Sequence, residues 1–109
     1  MKLSVRTLPK AEADIRSITR YIYERSRRGA VAWVNALDQA RLQLADNAMA
    51  CGQCDENEHF DIDVRQMLFN TRRGRIYRIL FTVVENEVRI LRVRGSGQAP
   101  IQPGDLESP

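Results

Sequence analysis

The stretch that decides the fold is Arg75-Ile76-Tyr77-Arg78-Ile79-Leu80-Phe81-Thr82-Val83-Val84-Glu85-Asn86-Glu87-Val88-Arg89-Ile90-Leu91-Arg92-Val93-Arg94. Residues 76–84 are almost entirely apolar and β-branched, the composition of a central strand covered on both faces. Glu85-Asn86-Glu87 is a short polar interruption. Residues 88–94 then alternate, with Val88, Ile90/Leu91 and Val93 on one side and Arg89, Arg92 and Arg94 on the other. That alternation is a half-buried strand, with a slip in phase at Ile90–Leu91. A tight turn between two such runs makes an antiparallel hairpin. Arg78 is the one charge in the apolar run, and it needs a partner or solvent, because an unpaired buried charge is costly.

Working upstream, residues 64–69 form a further strand, joined to the hairpin by a turn at Asn70 to Gly74, which gives a three-stranded meander. Residues 51–63 lack a clear period and read as an exposed loop. Trp33, Leu37, Ala40 and Leu44 mark one face of a helix over about residues 30–50, widened by Val34, Leu42 and Ala45. Ala11, Ile15, Ile18 and Ile22 mark an earlier helix that starts at Pro9 and runs to about Arg27, with Gly29 as the break. Thr7 is the better chemical candidate for its cap. Residues 2–7 alternate as a short strand that must join the sheet at an edge. The order β-α-α-β-β-β predicts an α+β fold, a helical hairpin packed on a small antiparallel sheet. Residues 1–101 are expected to form one domain, and residues 102–109, rich in Pro and Gly, a disordered tail.

The chain has 109 residues and a formal charge of +3. That length fits a single domain, with no apolar run near the roughly 20 residues of a membrane span. The N-terminus has no apolar core of signal-peptide length, so the expected location is the cytoplasm. Of 17 basic residues, all but Lys2 and Lys10 are arginine. Residues 46–63 hold six acids and no base, whereas residues 64–94 hold eight arginines against Glu85 and Glu87. This asymmetry points to an anion-binding face on the sheet. The candidates are Arg65, Arg72, Arg73, Arg75, Arg78, Arg92 and Arg94. Arg92 and Arg94 leave the same face of their strand about 7 Å apart. Tyr77 beside them is either a base-stacking or a packing residue.

Cys51-Gly52-Gln53-Cys54 is a CxxC with His59 five residues on. Zinc requires three or four strong ligands, and the chain has only these three. A redox CxxC opens a helix after a strand, whereas this one follows a helix. A reduced, ordinary pair that closes into a disulfide only on oxidation remains the third reading. No metal or cofactor is expected. No Ser–His–Asp set, HExxH or phosphate-cradling glycine loop is present.

The element order, together with Ala11-Glu12-Ala13-Asp14-Ile15, Tyr21-Ile22, Ala32-Trp33, Leu37 and the hairpin quoted above, resembles the RelE/ParE superfamily of toxins from type II toxin–antitoxin modules. The resemblance covers residues 2–94 and implies a growth-inhibiting toxin of the plasmid-stabilisation kind. It also implies a cognate antitoxin that neutralises the toxin and through which alone operator DNA is bound. RelE-like members cut mRNA on the ribosome; ParE-like members inhibit DNA gyrase. In a RelE-like reading the catalytic set is Arg72, Arg75, Arg78 and Arg94. The family's base just after the last strand is missing, however, because that place reads Arg94-Gly95-Ser96-Gly97. Arginine stabilises a charged phosphate well but is a poor proton acceptor. The resemblance therefore implies a ParE-like, non-enzymatic toxin acting on gyrase. The alternatives are a ribosome-dependent endoribonuclease and a plain nucleic-acid-binding module.

Overall fold

A computed structural model describes residues 2–109. The apolar run forms a strand with the expected bounds, Ile76–Val84, here β3. The other elements are β1 (Ser4–Thr7), α1 (Pro9–Tyr23), α2 (Arg27–Asn47), β2 (Arg65–Asn70) and β4 (Glu87–Gly95). Short 3₁₀ turns lie at Ala48–Ala50, Asn57–His59 and Pro103–Asp105. The strand order is β1-β4-β3-β2. The meander β2-β3-β4 is antiparallel, but β1 joins β4 in parallel, with Val5 opposite Val88, so the sheet is mixed rather than antiparallel. Alternation in a single strand carries no information about direction, which the long connection from β1 decides.

The helix bounds differ from expectation for a local reason. The Ser26 side chain accepts a hydrogen bond from the Gly29 N–H at 2.9 Å and caps α2, so Gly29 lies inside the first turn of α2 and the break falls before Ser26. At the start of α1, Leu8 rather than Thr7 holds the cap position. The Leu8 N–H still donates to the Ile90 carbonyl, so the strand passes directly into the helix, where Pro9 needs no partner for its nitrogen. Thr7 Oγ1 instead accepts from Arg41 at 3.2 Å.

The phase slip in β4 is a β-bulge. Leu80 pairs with Arg92 and Phe81 with Ile90, leaving Leu91 as the extra residue. Val88 and Ile90 before the bulge and Val93 after it therefore face the helices, while Leu91 joins the opposite face. Trp33, Leu37, Ala40 and Leu44 bury their stripe against this sheet with Phe69, Ile79 and Phe81. Leu42, expected to widen the stripe, is exposed.

The second face is covered by irregular chain. Leu8, Cys54, Val64, Leu80, Leu91 and Ile101 form a second core, with Phe60 and Leu106 packed against it. The 51–63 segment is thus a packed cover, not an exposed loop. Glu56 lies within it, 7% exposed. Both its oxygens accept from Arg78, at 2.6 and 2.5 Å, and Oε2 also accepts from the Ile101 N–H at 2.9 Å. One carboxylate joins the cover, β3 and the C-terminal segment. Residues 102–109 continue along the domain, with Glu107 accepting from the Lys10 N–H at 2.8 Å and the Asp105 carbonyl accepting from Arg92 at 2.8 Å.

The Arg78 hydrogen bonds, helped by the Ile101 N–H, outweigh desolvation and hold the Glu56 carboxyl down at about 2 instead of 4.5. A depressed carboxylate stabilises the fold above its unfolded pKa, and that stability is lost as pH falls through the folded value. Urea unfolding should therefore show about 3 kcal/mol lost between pH ~4.5 and ~2. In Glu56→Gln that acid-dependent component should vanish, while stability at neutral pH falls because Arg78 loses its charged partner.

Candidate interaction surface

The arginines predicted for the sheet face separate into two groups. Arg78 and Arg94 are cross-strand neighbours on the face opposite the helices, and Arg92 follows the same face. All three have partners within the chain, Arg94 through a single nitrogen. Arg78 is held by Glu56, and Arg94 donates to the Ala99 carbonyl at 2.6 Å. Arg92 grips Asp14 of α1 through two nitrogens, at 2.7 and 2.8 Å. Arg65, at the start of β2, bonds Asp63 at 2.9 Å and the Cys51 carbonyl at 2.7 Å.

The Asp14 contact has a backbone cause. β1 pairs with β4 only as far as Ile90, so the β4 edge beyond it lacks a strand partner. Asp14 Oδ2 accepts from the Val93 N–H at 3.0 Å and fills that vacancy from the helix. The acids of the cover and helix thus neutralise the basic sheet from within.

Arg72, Arg73 and Arg75, in contrast, are exposed on the β2–β3 turn. This turn meets the α1–α2 turn at one end of the sheet. Between them lies a groove of about 420 Å³ lined by Tyr21, Arg25, Trp33, Arg73, Arg75 and Tyr77, among others. It continues past Tyr21, Arg75 and Tyr77 into a second hollow of about 380 Å³ bounded by Ser17, Ile18, Gly95, Ser96 and Gln98. Tyr21 and Arg25 belong to this surface and were not singled out from the sequence. The Arg25 guanidinium lies 3.6 Å from the Tyr21 ring centre, and a Tyr-x-x-x-Arg spacing on a helix end was the available signal.

Tyr77 is a packing residue at the groove wall. Its ring lies 5.4 Å from Trp33 and 5.8 Å from Phe69, centre to centre. Burial raises its hydroxyl pKa, against the opposing charge of Arg75. The same ring occupies the space beside Gly95, where an added Cβ would meet Tyr77 Cε2 at 2.9 Å. Gly95, the last residue of β4, therefore lacks a side chain of its own, and the space beside it is filled by Tyr77.

The cysteines do not form a site. Cys51 packs against the helical core and Cys54 belongs to the opposite one. Burial raises both thiol pKa values, so neither is an activated thiolate. His59 is exposed on the cover. Among the described residues no group of His, Cys, Asp and Glu is placed to hold a metal ion, and no helix is long and apolar enough to cross a membrane.

A helical hairpin on a four-stranded β-α-α-β-β-β sheet is the architecture of RelE/ParE-type toxins. More narrowly, residues 5–100 match the model of the ParE toxin of the type II toxin–antitoxin system parDE, and the chain belongs to that family. A solved structure of a chromosomal ParDE toxin–antitoxin system from P. aeruginosa is similar in fold, with a TM-score of 0.68. It shares 22% identity and covers 86% of this chain and 96% of that one. No curated protein matches the sequence significantly.

The Arg92–Asp14 pair is only 15% and 14% exposed at its side chains, so Arg92 is a structural residue. Asp14→Ala should cost about 3 kcal/mol, because it strands a guanidinium and the Val93 N–H. A melting curve should show a drop on the order of 12 °C or more.

Proposed function

We propose that this chain is the toxin of its module, that it acts by binding its target, and that the target is DNA gyrase. One observation carries the choice of binding over cutting. On the sheet face the arginines are engaged by Glu56, Asp14 and backbone carbonyls, and β4 ends on Gly95, with the Tyr77 ring in the space beside it where a base would be needed. RNA cleavage requires one group to take the 2′-hydroxyl proton and another to stabilise the phosphate. The sealed face offers neither. Toxins of the ParE family are typically non-enzymatic, which supports the same reading.

On this reading Arg72, Arg73 and Arg75 form the working surface, with Tyr21 and Arg25 beside them. The partner that neutralises it is the cognate antitoxin, and operator DNA is bound only through that antitoxin. An acidic antitoxin segment directed at Arg92 and Arg94 is disfavoured, since both are already engaged.

Arg72→Ala/Arg73→Ala/Arg75→Ala should weaken inhibition of gyrase supercoiling at least about tenfold while the melting temperature stays nearly constant, because exposed turn substitutions cost little each. Undiminished inhibition would remove this surface from the mechanism. Translation arrest with mRNA cuts on induction, without loss of supercoiling, would overturn the gyrase reading.

A further inference from the structure

The end of the molecule where the α1–α2 and β2–β3 turns meet is densely positive. Residues 20–28 contribute Arg20, Arg25, Arg27 and Arg28, and residues 71–75 contribute Arg72, Arg73 and Arg75, with Glu24 the one acid in the two segments. No carboxylate lines either hollow of the groove. α2 also begins here, with no acidic residue in its first turn, so the positive end of its dipole is uncompensated.

Aromatic rings interleave with these cations. At the groove rim Tyr21 is 50% exposed with Arg25 over its face at 3.6 Å, while Tyr23, also 50% exposed with Arg27 at 5.5 Å, lines a separate hollow with Ala30, Val31 and Val34. The groove floor is Ile22 and Trp33, and among the described residues the Trp33 indole Nε1 has no hydrogen-bond partner. Guanidinium groups spread over a surface wider than one small ligand, with accessible π-faces between them, match the chemistry of a single strand, its phosphates on the arginines and a base in the groove.

We propose that this basic end is a binding surface for single-stranded nucleic acid. Arg25, Arg73 and Arg75 hold phosphates, and the Tyr21 ring at the groove rim receives a base. A duplex keeps its bases stacked inward and gains only the phosphate contacts, so single strands are preferred. The surface is separate from the arginine face that the cover and tail seal. The proposal concerns the free chain, so its failure leaves the gyrase reading untouched.

The test uses the free full-length chain with fluorescein-labelled oligo-dT, oligo-rU and a duplex of equal length, followed by anisotropy from about 50 to 300 mM salt. Trp33 is the only tryptophan, so its emission reports occupancy of the groove independently. Both single strands should bind and change Trp33 emission, with the duplex at least about tenfold weaker. Arg25→Ala/Arg73→Ala/Arg75→Ala should weaken single-strand binding at least about tenfold and flatten the log–log salt slope by about 2. Tyr21→Ala, which leaves every charge in place, should weaken binding about tenfold with the slope unchanged. Lys2→Ala/Arg6→Ala, just before and within the far edge strand, should bind within about twofold of the parent and serves as the charge-loss control. Absence of binding at about 50 mM salt would overturn the proposal. Equal losses in the groove and control variants, or equal affinity for the duplex, would do so too. A shift of preference from DNA to RNA, or the reverse, identifies which strand the site takes.

Discussion

The structure depends on the Glu56 carboxylate. It accepts two bonds from Arg78 in β3 and one from the Ile101 backbone, and it does so almost fully out of water. An isolated charge at either position would be strongly unfavourable, so neither partner is tolerable without the other. Satisfying Arg78 brings the irregular 51–63 segment onto the sheet and fixes where the C-terminal segment crosses it. Cys54, Val64, Leu80, Leu91 and Ile101 then close around the pair as a second core. A 109-residue chain thereby buries both faces of its sheet while using helices on only one.

The same logic explains the charge asymmetry of the sequence. Some of the acids before the sheet and in α1 pair with arginines within it, two of the pairs largely out of water and one at the surface. Glu56 meets Arg78, Asp63 meets Arg65, and Asp14 meets Arg92 at the strand edge that β1 leaves open. Once these are accounted for, most of the exposed arginines gather at one end, around the β2–β3 turn and the α1–α2 turn, with Arg6 on β1 and Arg16 on α1 lying elsewhere. A face that looked suited to phosphate chemistry is closed, and the open surface has cations and aromatic rings without an evident base. That division supports an inhibitor that works by contact.

Much of the fold was legible because its signals are local. The apolar run 76–84 could only be a covered strand, and Trp33, Leu37, Ala40 and Leu44 could only be a helix face. Even the slip at Ile90–Leu91 was visible, although its meaning as a bulge required the partner strand. The boundary between the helices falls at Ser26 rather than at Gly29, because a side-chain cap fixes a helix start more firmly than a glycine breaks it. The site was less legible. The exposure of Arg72, Arg73 and Arg75 was legible because a turn rich in arginine has nowhere to hide it. That Arg78 and Arg92 are paired with Glu56 and Asp14 was not legible, because nothing local reveals whether a distant acid reaches them.

By itself, then, the sequence determined the order of elements, the two buried helix faces and the central hairpin, all set by side-chain periodicity within single segments. Only the tertiary structure decided that β1 runs parallel to β4, that the 51–63 segment is a lid over a second core, and which arginines remain free. Those outcomes turn on contacts between residues far apart in the chain, such as Asp14 with Arg92 and Glu56 with Ile101. Charge pairing over such separations is chosen by the packing of the whole domain, because desolvation makes each buried ion seek whichever partner the fold brings within reach.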